Sequence, residues 1–299
     1  MKQLSPVTIG VLFTVLGFST FAFTDVCVKV VGGTYDPFSV ALYMNLATIF
    51  FMIPIILYCG GFKKISSTKS LKFHILRSYF MLINFVCVIY AFSQLPIATI
   101  YTILFTMPFM LSLFALVLFK EKISSHRWVA ITLGFTGVLI AMRPGIEPIS
   151  LAMTVTIIGT VFNASAATTV KFIDRKDHWL SYAFYMMLCQ TPVLIAIALY
   201  RGEAIFPDLS DWSVTPWFIA AGIGFNVGLS LMPQALQRID ASIFGAITYI
   251  VFPWGIFYGY FIFNDVPDRW TITGAVIIIL SGLYLAHREY TKKKQNAEN

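Results

Sequence analysis

The sequence predicts an all-α integral membrane protein: ten transmembrane helices arranged as two inverted five-helix repeats. Three observations carry this. Of the 299 residues, 58% are hydrophobic and only 12% are charged, with a mean hydropathy of +0.79. A soluble domain is nearer to about 25% charged, and here the apolar residues fall in blocks of about 20, the length that crosses a bilayer. Lysine and arginine gather on alternate connections between those blocks. Short features of the first half return in the second at a nearly constant offset.

The blocks run at approximately 7–31, 38–58, 72–92, 97–118, 127–143, 149–170, 180–200, 214–232, 240–262 and 270–287. The first opens after Lys2, a basic start that a cleaved signal peptide would share. Its apolar stretch is longer than a signal h-region and no A-x-A-like site follows, so it is expected to stay as the first transmembrane helix. Gly32-Gly33, Pro96, Pro144-Gly145 and Pro207 punctuate the connections. Pro54, Pro108, Pro192 and Pro253 lie inside blocks, where proline is tolerated and marks kinks. Most connections are too short to hold a catalytic or binding domain. The chain reads as one membrane domain, residues 1–145 forming the first repeat and 146–299 the second with a short basic tail.

Charge sets the orientation. With the N-terminus in the cytoplasm, the inner segments carry 17 of the 21 Lys and Arg residues, and the outer segments carry Arg143, Arg201 and Arg269. This positive-inside bias favours an even number of crossings with both termini cytoplasmic. The net charge of +7 is therefore a topology signal and not a nucleic-acid surface; Arg77 and Lys292–Lys294 read first as topology determinants and second as contacts for anionic lipid. Cys27, Cys59, Cys87 and Cys189 lie within or at the ends of blocks with no CxxC spacing, so no metal, disulfide or cofactor is expected.

The repeat is read from pairs. Ala91-Phe92 matches Ala235-Leu236 and Glu121 matches Asp265, both at offset 144. Gly137–Arg143 matches Gly282–Arg288 at 145, and Gly17 and Lys29 match Gly159 and Lys171 at 142. Five helices is an odd number, so the two halves enter the membrane from opposite sides, the inverted repeat of many secondary transporters.

Polar residues inside the blocks are the candidate site. Asp25 is the one acidic residue well inside an apolar run, at an insertion cost of about 2.5–3.5 kcal/mol. Lys29 lies one turn on, so Asp25 is either neutralised locally or faces a substrate or proton. Asp25 and Asn163 break the repeat symmetry, aligning with Ala167 and Phe21, whereas Phe105 aligns with Tyr249 and suggests paired aromatic walls. Phe80 and Asn84 on the third block, Tyr101 on the fourth, Asn226 on the eighth and Trp254 on the ninth complete the substrate-binding set. With 28 Phe and 14 Tyr, packing or lipid contact competes for each aromatic. For Asn84, Asn163 and Asn226 the competing role is an interhelical hydrogen bond of about 0.6 kcal/mol.

Two such repeats resemble the drug/metabolite transporter superfamily, specifically its EamA-like ten-helix members. The resemblance rests on Arg77, Pro96–Ala98, Glu121, Arg127-Trp128 and Gly134–Gly137, returning as Asp265, Arg269-Trp270 and Gly274. A narrower resemblance, to S-adenosylmethionine uptake carriers of intracellular bacteria, rests on residues 25–29, 74–77, 127–140 and 260–279. It implies a bacterial inner-membrane carrier with a central cavity among helices 1, 3, 4, 6, 8 and 9. In that cavity Asp25 would pair the ammonium of S-adenosylmethionine, Tyr or Trp faces would hold the sulfonium and Asn would read the adenine. The same residues suit amino acids, nucleobases, riboflavin or cationic drugs.

The repeat implies alternating access about a midplane site. Lys29 would hold Asp25 ionised, which favours exchange, S-adenosylhomocysteine leaving as S-adenosylmethionine enters, over proton coupling. An enzyme is not expected, because His74, His126, His178 and His287 lie in inner segments with no acid at ligand spacing. A channel or scramblase is the other class, but nothing resembles a selectivity filter. The expected partners are a small-molecule substrate and the lipid bilayer, without nucleic acid. G-x-x-x-G at Gly224/Gly228 and Gly255/Gly259 leaves a monomer or a weak homodimer open.

Overall fold

A computed structural model describes residues 6–120, 125–143, 149–174, 176–208, 210–236, 238–239, 244 and 247–298. Glu121, Lys122, Pro144-Gly145 and Arg175 lie outside the described residues, as do Lys2 and most of the first seven positions of the ninth block. The described residues are helical with no strand.

In chain order the helices are α1 (Pro6–Gly32), α2 (Pro37–Tyr58), α3 (Phe62–Ile65), α4 (Leu71–Gln94), α5 (Ile97–Leu104), α6 (Met107–Phe119), α7 (Ser125–Met142), α8 (Leu151–Thr169), α9 (Ser181–Arg201), α10 (Thr215–Leu236), α11 (Val251–Phe263) and α12 (Arg269–Glu298). Among the described residues, seven stretches are long and apolar enough to cross a membrane: 6–32, 37–58, 71–94, 97–118, 151–172, 181–201 and 215–232. The stretches 128–142, 248–263 and 269–285 are shorter apolar helices. α2 shows the scale: 22 residues at about 1.5 Å each give about 33 Å, against about 30 Å of hydrocarbon.

Local chemistry sets the ends. Asp36 caps α2 by accepting the Phe38 N–H at 2.9 Å, with Pro37 in the first turn, where its missing N–H costs nothing. Gly202 closes α9 in the left-handed region (φ +71°), while the Gly202 and Glu203 N–H groups bond back to Leu199 and Ala198.

The fourth apolar block is interrupted. Pro108 has no N–H for the Leu104 carbonyl, so α5 stops there and α6 restarts with Phe109 and Met110 N–H on Thr106 O at 3.0 and 3.1 Å. Pro253 is the third residue of α11, again in a first turn, while Pro54 and Pro192 lie inside unbroken helices.

The chain forms two compact units, and the chain boundaries between them cut α1, α8 and α10. Unit 1 is Met1–Ala22, Leu95–Thr154 and Ser230–Asn299; unit 2 is Phe23–Gln94 and Val155–Leu229. In unit 1, α7 packs along α12, and α11 packs on α5. A Cβ on Gly137 would stand 2.8 Å from Gly274 O, and one on Gly274 would stand 2.7 Å from Ala141 Cβ, so these helices meet backbone to backbone. In unit 2, α9 packs on α2 and α4. Met52, Ile56, Ile65, Leu180, Met186 and Met187 close its core around the short helix α3.

Candidate functional site

The nine candidate residues are all described, and they divide between the units. Unit 2 holds Asp25, Phe80, Asn84, Asn163 and Asn226; unit 1 holds Tyr101, Phe105, Tyr249 and Trp254.

In unit 2, Phe80 and Asn84 lie one turn apart on α4 and meet α8. The Phe80 and Phe162 ring centroids are 5.8 Å apart. Gly159 sits against Asn84 and Cys87: a Cβ there would be 2.9 Å from Cys87 Cβ and 3.6 Å from Asn84 Oδ1. Asn84 is 8% exposed, and its Oδ1 is buried without a hydrogen-bond partner. A buried carbonyl oxygen left unpaired costs about 1–3 kcal/mol, so this is a point where an N–H or O–H from a ligand would be favourable. Asn163 follows Gly159 by one turn on α8 and is half-buried. Asp25 is half-buried on α1, between buried Thr24 and Val26, with Lys29 one turn on in the same helix. Asn226 has a different task. Its Nδ2 donates to Thr48 O at 3.1 Å and Gly222 O at 2.8 Å, tying α10 to α2.

In unit 1 the aromatics form one cluster. Phe105 meets Tyr249 edge-on at 5.0 Å and Phe252 at 6.1 Å, and stacks with Tyr101 at 6.3 Å. Phe105 and Tyr249 are each 8% exposed, and the Tyr249 hydroxyl abuts Gly282 of α12. The repeat partners thus pack against each other. Trp254 stacks on Tyr258 at 5.4 Å, and its Nε1 donates to Ser19 Oγ at 2.8 Å.

Sequence reasoning missed a ladder of buried polar groups in unit 2. Asn45 Nδ2 donates to Gln190 Oε1 at 3.3 Å, Gln190 Nε2 donates to Ser78 O at 2.9 Å, and Ser78 Oγ donates to His74 O at 2.7 Å. His74 Nε2 then meets Asp177 Oδ2 at 2.9 Å, an oxygen that also accepts from Thr68 Oγ1 at 2.5 Å. So His74 does have an acid partner, 103 residues away in the chain. A polar side chain inside an apolar block was the available signal for Asn45 and Gln190. The loop residues 68 and 177 gave none. Among the described residues no His, Cys, Asp or Glu group could hold a metal ion.

The connections carry ordinary charge chemistry. Arg201 pairs with Asp36 and Glu203, both at 2.9 Å, in unit 2. Arg143 pairs with Asp268 in unit 1. Desolvation works against ionised Asp36, but Ser39, the Phe38 N–H and Arg201 outweigh it and hold the carboxyl below its usual range. Asp268 is held low against desolvation by Thr271 and Arg143. Burial, with Lys64 nearby, pushes the His178 imidazole down.

The described residues show apolar helices joined by buried polar contacts, and comparison with known proteins gives the family. The model of the EamA-like transporter family matches residues 8–143 and again 150–286. The chain belongs to the EamA-like transporter family. It is therefore a multi-pass membrane transporter, and its family and relatives are carriers, not enzymes. As an EamA-like chain it is 26% identical to the S-adenosylmethionine uptake transporter of Rickettsia bellii, over 94% of each chain. It is 24% identical to the pseudopaline exporter CntI of Pseudomonas aeruginosa, covering 95% of this chain and 97% of that one. To the riboflavin transporter of Vibrio cholerae it is 26% identical, over 87% and 86%. A solved crystal structure, 14% identical, superposes with a TM-score of 0.62 over 95% of this chain and 98% of the other. At that identity it shows the fold alone.

Proposed function

We propose that this EamA-like chain is a secondary transporter of S-adenosylmethionine working by alternating access, with S-adenosylhomocysteine as the exchanged product. The reading is carried by relatives named as S-adenosylmethionine uptake transporters that match 94–97% of the chain. Relatives named for pseudopaline and riboflavin keep other small metabolites as the second reading. Ten crossings in two inverted halves, 1–145 and 146–299, place both termini in the cytoplasm of a bacterial inner-membrane carrier. Seven long apolar helices and three shorter ones among the described residues, with the 17-to-3 inner bias of Lys and Arg, support that topology.

The chemistry fits a sulfonium nucleoside carrying an amino acid. Asp25 pairs the ammonium. Phe80, in the same unit, offers a ring face to the sulfonium, worth about 0.5–2 kcal/mol. Asn84, with its unpaired buried Oδ1, and Asn163 read the adenine edge. Asn226 in unit 2, and Tyr101, Phe105, Tyr249 and Trp254 in unit 1, act through packing, since their polar atoms or rings already meet neighbours.

The test is thermal stabilisation of the purified protein by a ligand panel, followed by counterflow in liposomes. A ligand that binds only the folded state stabilises it by about 2.7 kcal/mol at 100 times its Kd. S-adenosylmethionine is expected to raise the melting point, Asp25→Asn to remove the rise, and preloaded S-adenosylhomocysteine to accelerate uptake. Stabilisation by riboflavin or an amino acid instead, with none by the sulfonium, overturns the cargo and leaves the family intact.

A further inference from the structure

Arg77 lies six residues into α4, about 9 Å along its axis from Leu71. Its guanidinium carbon stands 5.3 Å from the centroid of the Tyr182 ring of α9. Nη1 donates to Tyr182 O at 3.3 Å, and Nε is buried with no acceptor. A guanidinium has five N–H donors and no way to neutralise itself. Yet among the described residues no carboxylate stands within ion-pair distance of Arg77. Asp177, the acid of the neighbouring network, already accepts from Thr68 and meets His74.

A second orphan lies beside it. His74 is three residues earlier on the same face of α4, its ring 5.2 Å from the same Tyr182 ring. Its side chain is fully buried, Nε2 faces Asp177, and Nδ1 has no partner. Thus two buried polar atoms with unmet hydrogen bonds flank one aromatic ring on one helix face. Cation–π contact with Tyr182 covers a face of the guanidinium and leaves its donor edge for another group. A lone topology determinant would place its charge in water. This one is stacked, partly buried and unpaired inside a helix long enough to span the membrane, where charges mark substrate paths.

We propose that Arg77, set by Tyr182 and His74, is a binding station for an oxyanion, with the α-carboxylate of an amino-acid-bearing cargo as its first source. The phosphate of an anionic lipid headgroup carries the same chemistry and is the other source. This inference rests on the reading above for its cargo: on that topology Arg77 lies near the inner end of α4 and Asp25 near the outer end of α1, so the station holds the carboxylate at a point of the path separate from the Asp25 contact with the ammonium, and it gives riboflavin no partner.

The experiment measures binding of S-adenosylmethionine and of its decarboxylated analogue to the full chain in nanodiscs of phosphatidylcholine, with and without phosphatidylglycerol. Wild type is expected to bind the carboxylate form about tenfold or more tighter, the scale of a charge-assisted hydrogen bond. Arg77→Gln should abolish that preference by weakening S-adenosylmethionine alone, and Arg77→Lys should restore part of it. If phosphatidylglycerol instead stabilises wild type and Arg77→Lys but not Arg77→Gln, the lipid headgroup is the oxyanion. Equal binding of both sulfonium compounds by wild type, with no lipid effect at Arg77, overturns the station. Should neither sulfonium compound bind wild type, the cargo reading fails and the station stands or falls on the lipid arm.

Discussion

Where α7 meets α12 in unit 1, two glycines let backbone touch backbone; where α2, α4 and α9 meet in unit 2, buried amides and hydroxyls bond across the helices. The first interface leaves no room for a side chain at Gly137 or Gly274. The second rests on each donor meeting its acceptor. In a bilayer both devices make sense, because lipid tails remove the hydrophobic drive between helices and leave close packing and hydrogen bonds to hold the bundle. The unmet polar atoms of Asn84, Arg77 and His74 all lie in unit 2, where hydrogen bonding is the currency of packing and a ligand can join it.

The largest effect that sharpens this contrast is at Gly274. Leucine there would drive a side chain into the Gly137 carbonyl and the Ala141 backbone, neither of which can move away. Gly274→Leu should abolish the monodisperse peak in detergent chromatography. Gly282→Ala is milder, because the clash is with the Tyr249 side chain. Its overpacking cost of about 1–3 kcal/mol should be partly relieved in the Gly282→Ala/Tyr249→Ala double variant, giving a coupling of about 0.5–3 kcal/mol in a thermal double-mutant cycle. Strict additivity would show that the two do not touch.

Unit 2 should respond to chemistry instead of size. Gln190→Leu keeps the volume but strands the Asn45 amide and removes the second hydrogen bond on the Ser78 carbonyl, at a cost of about 1–2 kcal/mol. Adding Asn45→Leu removes one stranded group and should return part of that loss. If the double variant melts lower than the single one, the ladder holds α2, α4 and α9 by packing and not by its hydrogen bonds.

The helices were legible because length and hydropathy are local. The blocks at 38–58 and 180–200 became α2 and α9 within a residue at each edge. The break at Phe105-Thr106 was half legible: Pro108 announced trouble, but the lost Leu104 hydrogen bond places the gap before it. Positions of the site residues could be read as polar or aromatic exceptions inside apolar runs. Their partners could not. Nothing periodic links Asp177 to His74, and nothing in the sequence says that Asn226 bonds two carbonyls while the Asn84 oxygen bonds none. The α3 turn was missed because four residues are too few for a periodic signal, though its Ile65 is wholly buried.

At the connections the two units stop differing, and the smallest effect follows. Asp36 in unit 2 and Asp268 in unit 1 each cap a helix, pair with an arginine and are held below the usual carboxylate range. A lowered carboxyl favours the folded state wherever it is ionised there. That contribution is full above the unfolded value of about 3.9 and is lost as pH falls through the lower folded value. Both pairs are part-exposed and screened by solvent, so each is worth about 0.2–1 kcal/mol. Melting points between pH 7 and pH 3 should therefore fall less steeply in Asp36→Asn and Asp268→Asn than in wild type. Asparagine keeps the helix cap, so only the charge is tested. An acid slope unchanged in both variants would assign acid lability to other carboxylates; a slope changed in one alone would carry the difference between the units out to their loops.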